Sequence, residues 1–426
     1  MKKKIRFLSA FLALVLLASV LLSCDKAQTD AETQKLTETS LLTINGVALK
    51  EYTVVYNKRP ISGAEDAFSY LNKKIEELYD TTLQGDVVSK DRYEILIGLD
   101  GDNGDIAQAY EQNPDGLIGA AEKKIVLLGV NYGALCQVID AFLDKATETN
   151  GSYEISVTEC EFPNVNKASL NVMSYNILMD LNKNGRPSDP RTKMVNTILA
   201  NDIDVFGTQE DNNDNGNVFI QKLKTYSYYK GANEENNGNY IYWKTDKFNL
   251  LEKGNYYLSS TPEKRSKFSD SKHYRTMTYV ILEEKETGKQ FVFIDAHLQN
   301  NSEDSGSDDT TRKKQLVVLT SLIKQININS LPVIVMGDFN TSSDAISVQT
   351  FERDNPTFGE AIDVAATKGD IGKTFAGNFK DRTDTIDHIF VSTDKIYTKY
   401  FSVIDNKTDG KYPSDHLPLL AQIDIY

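Results

Sequence analysis

The sequence places a carboxylate and a carboxamide two residues apart, Asp338 and Asn340, directly after an apolar run. The run 333–336 has the length and composition of a short buried strand, and Gly337 ends it. Side chains two apart in an extended segment point to the same side, so both polar groups leave the strand end together. Sheet enzymes bind ligands at such ends, although an ordinary turn after a core strand would also explain these residues.

Polar residues follow other apolar runs of the second half in the same way. Glu, Asp and Asn supply the oxygen ligands that Mg²⁺ or Mn²⁺ prefers, and these ions accept substrate phosphate as a further ligand. Histidines among carboxylates move protons near neutral pH. The recurrence of this pattern is hard to explain by turn chemistry and predicts metal-assisted phosphoester hydrolysis. The positions are Asn176, Glu210, His297, Asp387, Asp415 and His416.

The elements that must position these residues are many strands with few helices between them. Such an order predicts two packed sheets flanked by helices. We expect a hairpin across residues 286–288, which contain Gly288. The predicted strands are 168–175, 205–207, 240–243, 256–258, 278–282, 290–296, 333–336, 385–391 and 417–425, and the predicted helices are 193–200 and 314–326.

Composition sets the class of protein. The 426 residues are 40% hydrophobic and 25% charged, as in a soluble globular protein long enough for two or three domains. The net charge of −14 argues against a broad basic surface for polyanions. A bound divalent cation would still permit a phosphate substrate. Cys136 and Cys160 either pair or stay as free thiols, and we favour free thiols.

The chain begins with a targeting segment. Residues 1–24 have a basic start and an apolar run that is too short for an ordinary spanning helix. The ending Leu-Leu-Ser-Cys at 21–24 resembles a bacterial lipobox, in which Cys24 is lipidated; plain signal cleavage is the alternative. Residues 25–40 are polar and Thr-rich, as expected for a flexible tether. We therefore expect an extracytoplasmic protein that is anchored to a membrane.

Residues 41–160 carry no visible chemistry. Strands at 42–44, 52–56, 93–97 and 124–128 and helices at 64–79 and 132–143 predict a small α/β domain. The pattern is similar to the non-catalytic domain ahead of some glycoside hydrolases, which implies possible carbohydrate binding. Residues 100–105 have the composition of a calcium loop without its closing glutamate, so we favour a solvated acidic turn. All four histidines lie later, which assigns acid–base chemistry to the second half.

Residues 168–426 resemble the endonuclease/exonuclease/phosphatase superfamily, the deoxyribonuclease I-like group. The resemblance implies a four-layer α/β sandwich with two central mixed β-sheets, preceded here by the small α/β domain. It also implies that Asn176 and Glu210 hold an essential Mg²⁺ (or Mn²⁺), with Asp415 contributing from the other side. The motifs are Met-Ser-Tyr-Asn-Ile at 173–177, Thr-Gln-Glu at 208–210, Asp-Ala-His-Leu at 295–298, Gly-Asp-Phe-Asn at 337–340, Ile-Asp-His-Ile at 386–389 and Pro-Ser-Asp-His at 413–416.

The same resemblance implies catalytic roles for five residues. Asp387 orients His416, which matches the general base for the attacking water. Asp338 and Asn340 position that water and the phosphate, and within the family the proton has been assigned either to Asp338 or to His416. His297 binds a phosphoryl oxygen and assists the leaving group.

Some positions depart from the family's subgroups or leave alternatives open. Repair nucleases of the family carry an acidic residue where this chain has Leu178, which disfavours abasic-site repair. Arg275 matches a basic position near the substrate, and a surface arginine is the alternative. We expect His273 at the surface, His388 at the edge of the core, and Trp243 in sheet packing.

The function expected from sequence is therefore a surface-anchored, monomeric, metal-dependent phosphoesterase, with a phosphodiesterase favoured. Extracellular nucleic acid, a lipid headgroup and a small phosphorylated metabolite all stay open as substrates, which leaves a phosphatase or phospholipase as the alternative. The acidic run 302–309 is expected to form a rim loop that disfavours long polyanions. A second hypothesis, from another class, is a catalytically inactive surface protein that binds carbohydrate or a partner through residues 41–160.

Overall fold

The computed structural model describes residues 42–56, 63–86, 93–99, 104–180, 184–234, 237–300 and 308–426. The signal segment with Cys24, the tether 25–40, residues 100–103 of the acidic turn and residues 302–307 of the rim loop lie outside the described residues. Within the described ranges, no helix is long and apolar enough to cross a membrane.

Residues 42–155 form two small sheets with three helices. A five-stranded sheet has the order β4-β3-β5-β7-β6, in which only β6 runs antiparallel to its neighbour, and a four-stranded sheet has the order β2-β1-β9-β8. The elements are β1 Leu42–Ile44, β2 Val47–Ala48, β3 Tyr52–Tyr56, α1 Ala64–Tyr79, β4 Gln84–Asp86, β5 Tyr93–Ile97, α2 Gly104–Gln112, β6 Gly116–Ala121, β7 Lys124–Gly129, α3 Tyr132–Leu143, β8 Thr147–Thr149 and β9 Ser152–Ile155.

Helix α1 shows how the apolar spacing produces this layer. Ala67, Leu71 and Ile75 recur at intervals of four residues and are fully buried, because that spacing keeps them on one face. Leu78, three residues after Ile75, is 55% exposed. Cys136 and Cys160 are free thiols, as expected.

Residues 168–425 form two larger mixed sheets. The first has the order β12-β13-β11-β10-β22-β21-β19 and the second has the order β14-β15-β16-β17-β20-β18. The strands are β10 Ala168–Asn176, β11 Val205–Asp211, β12 Tyr226–Glu234, β13 Asn237–Lys244, β14 Phe248–Tyr257, β15 Thr276–Glu284, β16 Gln290–His297, β17 Val333–Asp338, β18 Phe358–Glu360, β19 Thr367–Lys368, β20 Asp387–Ser392, β21 Ile396–Val403 and β22 Leu419–Ile425. The helices are α4 Pro190–Ala200, α5 Asn213–Lys222, α6 Asp308–Ile326, α7 Ile346–Asp354 and α8 Ala361–Val364.

The two larger sheets pack face to face, and helices cover their outer faces. Ile334 and Met336 of β17 join the core between the sheets, where Trp243 also packs. Val333 and Val335, on the opposite face of β17, pack in the cluster that contains α6 and α7. Helices α4 and α5 contribute to a third cluster on the first sheet. This is the expected four-layer α/β sandwich, and the apolar run of β17 is continuous because both of its faces are buried.

Several elements differ from the sequence prediction. The expected strand 256–258 is the end of the ten-residue β14, and the helix expected at 314–326 begins at Asp308. The predicted hairpin of β15 and β16 is confirmed, with Gly288 in the left-handed region at φ 72°. Strands β12 and β21 and helices α5 and α7 were not predicted. Strands β12 and β21 each carry polar residues on a face that stays partly exposed, which weakens their apolar signal.

Lys167 joins the early and late parts of the chain. Its Nζ lies 2.6 Å from Asp115 Oδ1 and 3.0 Å from Asp424 Oδ2, and the Tyr426 hydroxyl donates to Asp115 Oδ1 at 2.7 Å. Residues Ser40–Tyr426 form one compact unit. The boundary between an accessory domain at 41–160 and a catalytic domain at 168–426 therefore stays a prediction.

Candidate active site

The polar residues that follow the strands meet at one edge of the paired sheets. In the second sheet, His297 pairs with Asp338 and Asp338 pairs with Asp387, so the three residues lie side by side across neighbouring strands. In the first sheet, the parallel pair β10 and β11 ends with Asn176 beside Gln209. The Asn176 Nδ2 donates to Asp338 Oδ2 at 3.0 Å, which joins the two sheets directly.

His416 and Asp387 form a buried dyad. The Asp387 oxygens lie 2.9 and 3.1 Å from His416 Nδ1, and the Thr374 hydroxyl donates to Asp387 Oδ2 at 2.6 Å. The carboxylate therefore holds the proton of Nδ1 and leaves Nε2 as the free ring nitrogen of neutral His416. Burial lowers the pKa of His416, but the charges of Asp387 and Asp338 oppose that effect and raise this pKa well above its usual value.

Asp338 is the centre of the hydrogen-bond network. Its Oδ1 accepts the backbone N–H of Asn340 at 2.8 Å, and its Oδ2 lies 3.4 Å from His297 Nε2 and 3.7 Å from His416 Nε2. Burial raises the pKa of Asp338 to about 7, with His416 lowering it and Asp387 raising it further. A carboxyl group at this pKa beside two imidazoles can exchange a proton at neutral pH. Proton transfer at this site therefore involves Asp338 and His416 together.

Glu210 is turned toward Asn176 by an irregularity in its strand. The pairing of β11 with β13 shifts register between Thr208 and Asp211, and Glu210 has a φ of 54°. This left-handed conformation costs roughly 1–2 kcal/mol for a non-glycine residue. It places Glu210 Oε1 at 3.3 Å from Asn176 Nδ2. The Asn176 Oδ1 accepts from Leu178 N at 3.0 Å, so a half-turn of this amide would bring its oxygen toward Glu210.

A cavity of about 510 Å³ opens beside these residues, and the charge of its lining indicates that a phosphate ligand would need a bound cation. The described residues that line it include four carboxylates (Glu210, Asp338, Asp384 and Asp415) and one arginine, Arg275. A phosphate anion would be repelled by this surplus of negative charge unless a cation were bound. The oxygen donors of Asn176, Glu210 and Asp415 are of the kind that a hard divalent cation selects. The donor set and the charge thus fit Mg²⁺ or Mn²⁺.

His297 is held in a single protonation state by Arg275. The Arg275 Nη1 lies 3.0 Å from His297 Nδ1, and because a guanidinium can only donate, Nδ1 must accept. The proton of neutral His297 is therefore on Nε2, which faces Asp338. Burial and the charge of Arg275 keep the pKa of His297 well below its usual value. Neutral His297 thus has a hydrogen-bond donor, Nε2, and lines the cavity. The surface position that we considered for Arg275 is wrong, because this residue is 5% exposed.

Gln209 and Asp295 form a second contact between the sheets, beneath the site. Gln209 Nε2 donates to Asp295 Oδ1 at 2.6 Å and lies 3.2 Å from Ser174 Oγ. Gln209 directly precedes Glu210, and Asp295 lies two residues before His297. A Cβ at Gly207 would lie 2.8 Å from Asp295 Cγ, so only glycine leaves room for this carboxyl group. The contact therefore fixes the distance between two strands that carry site residues.

The structure brings together all of the predicted site residues except Cys24, which is outside the described residues. Other residues of the cavity and its support escaped prediction: Asn300, Ser342, Phe375, Asp384, Gln209 and Asp295. The Phe375 ring lies 5.0 Å from that of His416, and no sequence pattern marked it. Asp295 had a signal, because it lies in the Asp-Ala-His-Leu motif on the same side of β16 as His297.

Two further histidines lie close to the positions expected for them. His388 is fully buried between Glu360 Oε1 and the carbonyl of Thr341, at 2.7 and 2.8 Å, and His273 is half-exposed.

Ligand atoms of Asp338, Asp387 and His416 also lie within 4.8 Å of one another, a spacing that a metal would accept. The dyad already engages Asp387, and we therefore assign this group to proton transfer.

Comparison with known proteins defines the class. The family model described as Endonuclease/Exonuclease/phosphatase family matches residues 173–416, and the chain belongs to this family. Members of this family include hydrolases of phosphate esters, and enzymes of the family depend on a divalent metal. It is 24% identical over 251 residues to the CCR4-Not complex 3'-5'-exoribonuclease subunit Ccr4 of Kluyveromyces lactis. That match covers 49% of this chain and 32% of the relative, so the chain spans about a third of the curated relatives it matches.

Two solved structures share the fold of the second half. An endonuclease/exonuclease/phosphatase family protein from Bacteroides thetaiotaomicron aligns with a TM-score of 0.54 and 25% identity, over 61% of this chain and 96% of that one. The mannosyl-6-phosphatase of Bacteroides thetaiotaomicron aligns with a TM-score of 0.53 and 25% identity, over 60% of this chain and 99% of that one.

Proposed function

We propose that this protein hydrolyses phosphate esters of small molecules, using a divalent cation and water activated at His416. The observation that carries the proposal is the cavity of about 510 Å³, in which four carboxylates and Arg275 surround the His416–Asp387 dyad. Such a volume suits one phosphate with a small organic group. The acidic lining and the net charge of −14 disfavour a long polyanion.

Each residue has a defined part in this proposal. Asn176, Glu210 and Asp415 would hold Mg²⁺ (or Mn²⁺), which supplies positive charge that polarises the phosphoryl group. His416 Nε2 takes the proton of the water as its oxygen bonds to phosphorus. Neutral His297 donates from Nε2 to a phosphoryl oxygen and so holds the phosphate while the bond between phosphorus and the leaving oxygen breaks. The leaving oxygen takes up the electron pair of that bond and then a proton from solvent, and it departs as the alcohol.

Asp338 and Asn340 complete the site by positioning the water and the phosphate. The raised pKa of Asp338 and the separation of 3.7 Å between its Oδ2 and His416 Nε2 make Asp338 the alternative acceptor of the proton. The variants Asp338→Asn and His416→Ala identify the proton acceptor when their pH profiles of kcat/KM are compared with that of the wild type. The residue whose loss abolishes the acidic limb of the profile is the base.

A phosphodiester is the second candidate substrate, and the relatives support both kinds. The mannosyl-6-phosphatase supports a monoester, and its alignment covers almost all of that chain. The exoribonuclease relatives support the diester that the sequence favoured, but the alignment covers about a third of their length. We give the monoester precedence because a cavity of about 510 Å³ suits one phosphate with a small organic group, and because the alignment with the mannosyl-6-phosphatase covers 99% of that chain.

The first experiment is hydrolysis by the purified full-length protein of p-nitrophenyl phosphate, mannose 6-phosphate and bis(p-nitrophenyl) phosphate, with Mg²⁺, Mn²⁺ or EDTA. We expect metal-dependent release of phosphate from the monoesters, lost in His416→Ala. Cleavage of the diester alone would establish a phosphodiesterase instead. No turnover of any substrate, together with no metal-dependent change in Tm, would favour the inactive surface-binding protein.

We also propose the cellular arrangement that the sequence predicted. Residues 1–24 act as a lipoprotein signal, Cys24 carries the lipid, and residues 25–40 tether the domain at 41–160 and the catalytic domain to the outside of a membrane. The polar composition of 25–40 supports this proposal. Cys24→Ser should abolish the incorporation of a labelled fatty acid into the protein in expressing bacteria, because serine has no thiol to acylate, and labelling of that variant would contradict lipidation of Cys24.

A further inference from the structure

A short basic segment borders the acidic cavity. Residues 263–275 contain five Lys and Arg residues and two carboxylates, in a chain whose net charge is −14. Arg265 Nε pairs with Glu234 Oε2 at 2.8 Å, which neutralises part of this charge. Asp270, one of the two carboxylates of the segment, is itself paired with Lys314 of α6. In the described part of the chain, neither Lys267 nor Lys272 lies within ion-pair distance of a carboxylate.

The segment is fixed against the wall of the cavity by Gln299. The buried Gln299 Oε1 accepts from the Ser271 hydroxyl at 3.0 Å and from the backbone N–H groups of Lys272 and His273 at 2.9 and 3.3 Å. Its Nε2 donates to Asn300, which lines the cavity. One side chain thus joins the backbone of the basic segment to the cavity wall.

Further contacts hold the Lys267 side chain against the backbone of Lys272. Lys267 Nζ donates to the carbonyl of Lys272 at 2.6 Å and lies 5.4 Å from the centre of the Tyr274 ring. The guanidinium of Arg265 lies over the same ring at 3.8 Å. A segment ordered in this way loses little conformational entropy when it binds a ligand, so its exposed charges are preorganised.

We infer that Lys267 and Lys272 form a subsite for a second anionic group of the substrate, a phosphate or a carboxylate, next to the cavity that receives the scissile phosphate. This inference rests on the proposed function, since it assumes that a phosphate ester occupies the cavity. In the proposed function, Arg275 and the cation that Asn176, Glu210 and Asp415 would hold serve the reacting phosphate. A substrate with a single phosphate would leave both lysines without an anionic partner, whereas a doubly anionic substrate would pair with them.

The test compares two matched sugars, glucose 6-phosphate and glucose 1,6-bisphosphate, by phosphate release from the full-length protein. We expect the wild type to prefer the bisphosphate by more than the statistical factor of its two phosphates. In Lys267→Gln/Lys272→Gln, the ratio of the two kcat/KM values should fall on the order of tenfold, the loss expected for two exposed charge contacts. The exposed pair Lys50→Gln/Lys123→Gln removes the same charge from the early part of the chain and should keep the wild-type ratio.

The remaining outcomes separate this inference from the proposed function. A double variant that keeps the wild-type ratio, or a wild type without preference, overturns the subsite. If the wild type hydrolyses neither sugar, calorimetric titration with both sugars decides instead. Tighter binding of the bisphosphate that is lost in Lys267→Gln/Lys272→Gln then supports the subsite while the proposed function fails, and equal binding of both sugars, or none, overturns it.

Discussion

Asp295 allows a direct test of whether the carboxyl group buried between the two sheets is protonated. Its Oδ1 accepts from Gln209, while Asp295 Oδ2 and Gln209 Oε1 are buried without a hydrogen-bond partner among the described residues. Burial raises the pKa of Asp295 well above its usual value, and the charges of Asp211 and Asp338 raise it further. A protonated Asp295 would gain a donor on Oδ2. Asp295→Asn imitates that state, because the amide keeps an acceptor for Gln209 and adds a permanent donor.

The expected effect on stability has a definite sign. Because folding raises the pKa of this carboxyl, the wild type loses stability as the pH rises from the unfolded pKa, about 3.9, toward the folded pKa. Asp295→Asn does not titrate and avoids this loss. Its advantage in the free energy of unfolding should therefore grow by up to about 1.4 kcal/mol per pH unit, or up to about 3 kcal/mol between pH 5 and pH 7.

Thermal and urea unfolding of the wild type and Asp295→Asn at several pH values measures this difference directly. Asp295→Ala leaves the Gln209 amide without an acceptor and should be destabilised by about 1–3 kcal/mol or more. The exposed Asp246→Asn is the matched control for a carboxylate-to-amide change. A difference between wild type and Asp295→Asn that is independent of pH, or that shrinks as the pH rises, would refute the protonated carboxyl.

Three further predictions concern the site itself. His416→Ala should lower kcat/KM by a factor of about 10²–10⁴. Asp387→Asn should move the acidic limb of the pH profile of kcat/KM to lower pH, because the charge of Asp387 helps to raise the pKa of His416. An acidic limb that stays at the same pH or moves to higher pH would contradict this role of Asp387. Glu210→Gln should raise the Mg²⁺ concentration for half-maximal activity on the order of tenfold. This concentration is measured by titration with Mg²⁺ after EDTA treatment. An unchanged Mg²⁺ concentration for half-maximal activity would exclude Glu210 as a ligand. Arg275→Met should lower kcat on the order of tenfold and raise the pKa of His297 in an NMR titration, whereas an unchanged pKa would contradict the assigned tautomer.

The strand ends of the second half could be predicted from sequence because local rules apply to them. Buried strands give apolar runs, and a polar residue at the end of such a run is visible in the sequence; Asn176, His297 and Asp338 each end a strand in the structure. Glu210 could be predicted as a site residue for the same reason. Its orientation, however, depends on a register shift between β11 and β13 that no sequence pattern indicates.

Other elements could not be predicted, since their signals are not local. Strand β12 is partly exposed and rich in polar residues, so its apolar alternation is weak. Phe375 reaches His416 from an irregular segment, where no periodicity applies. The contact of Arg275 with His297 joins the residue before β15 to the end of β16, and only the antiparallel pairing of these strands brings the two together.

The sequence by itself determined the family, the types of side chain available and the strand ends at which they stand, because motifs and apolar runs are local properties of the chain. The tertiary structure alone decided which of these side chains touch and in what protonation state. Asn176 and Asp338 are 162 residues apart and meet only because two sheets pack face to face. The raised pKa of Asp338 and the fixed tautomer of His297 arise from burial and neighbouring charge, which exist only once distant segments have come together.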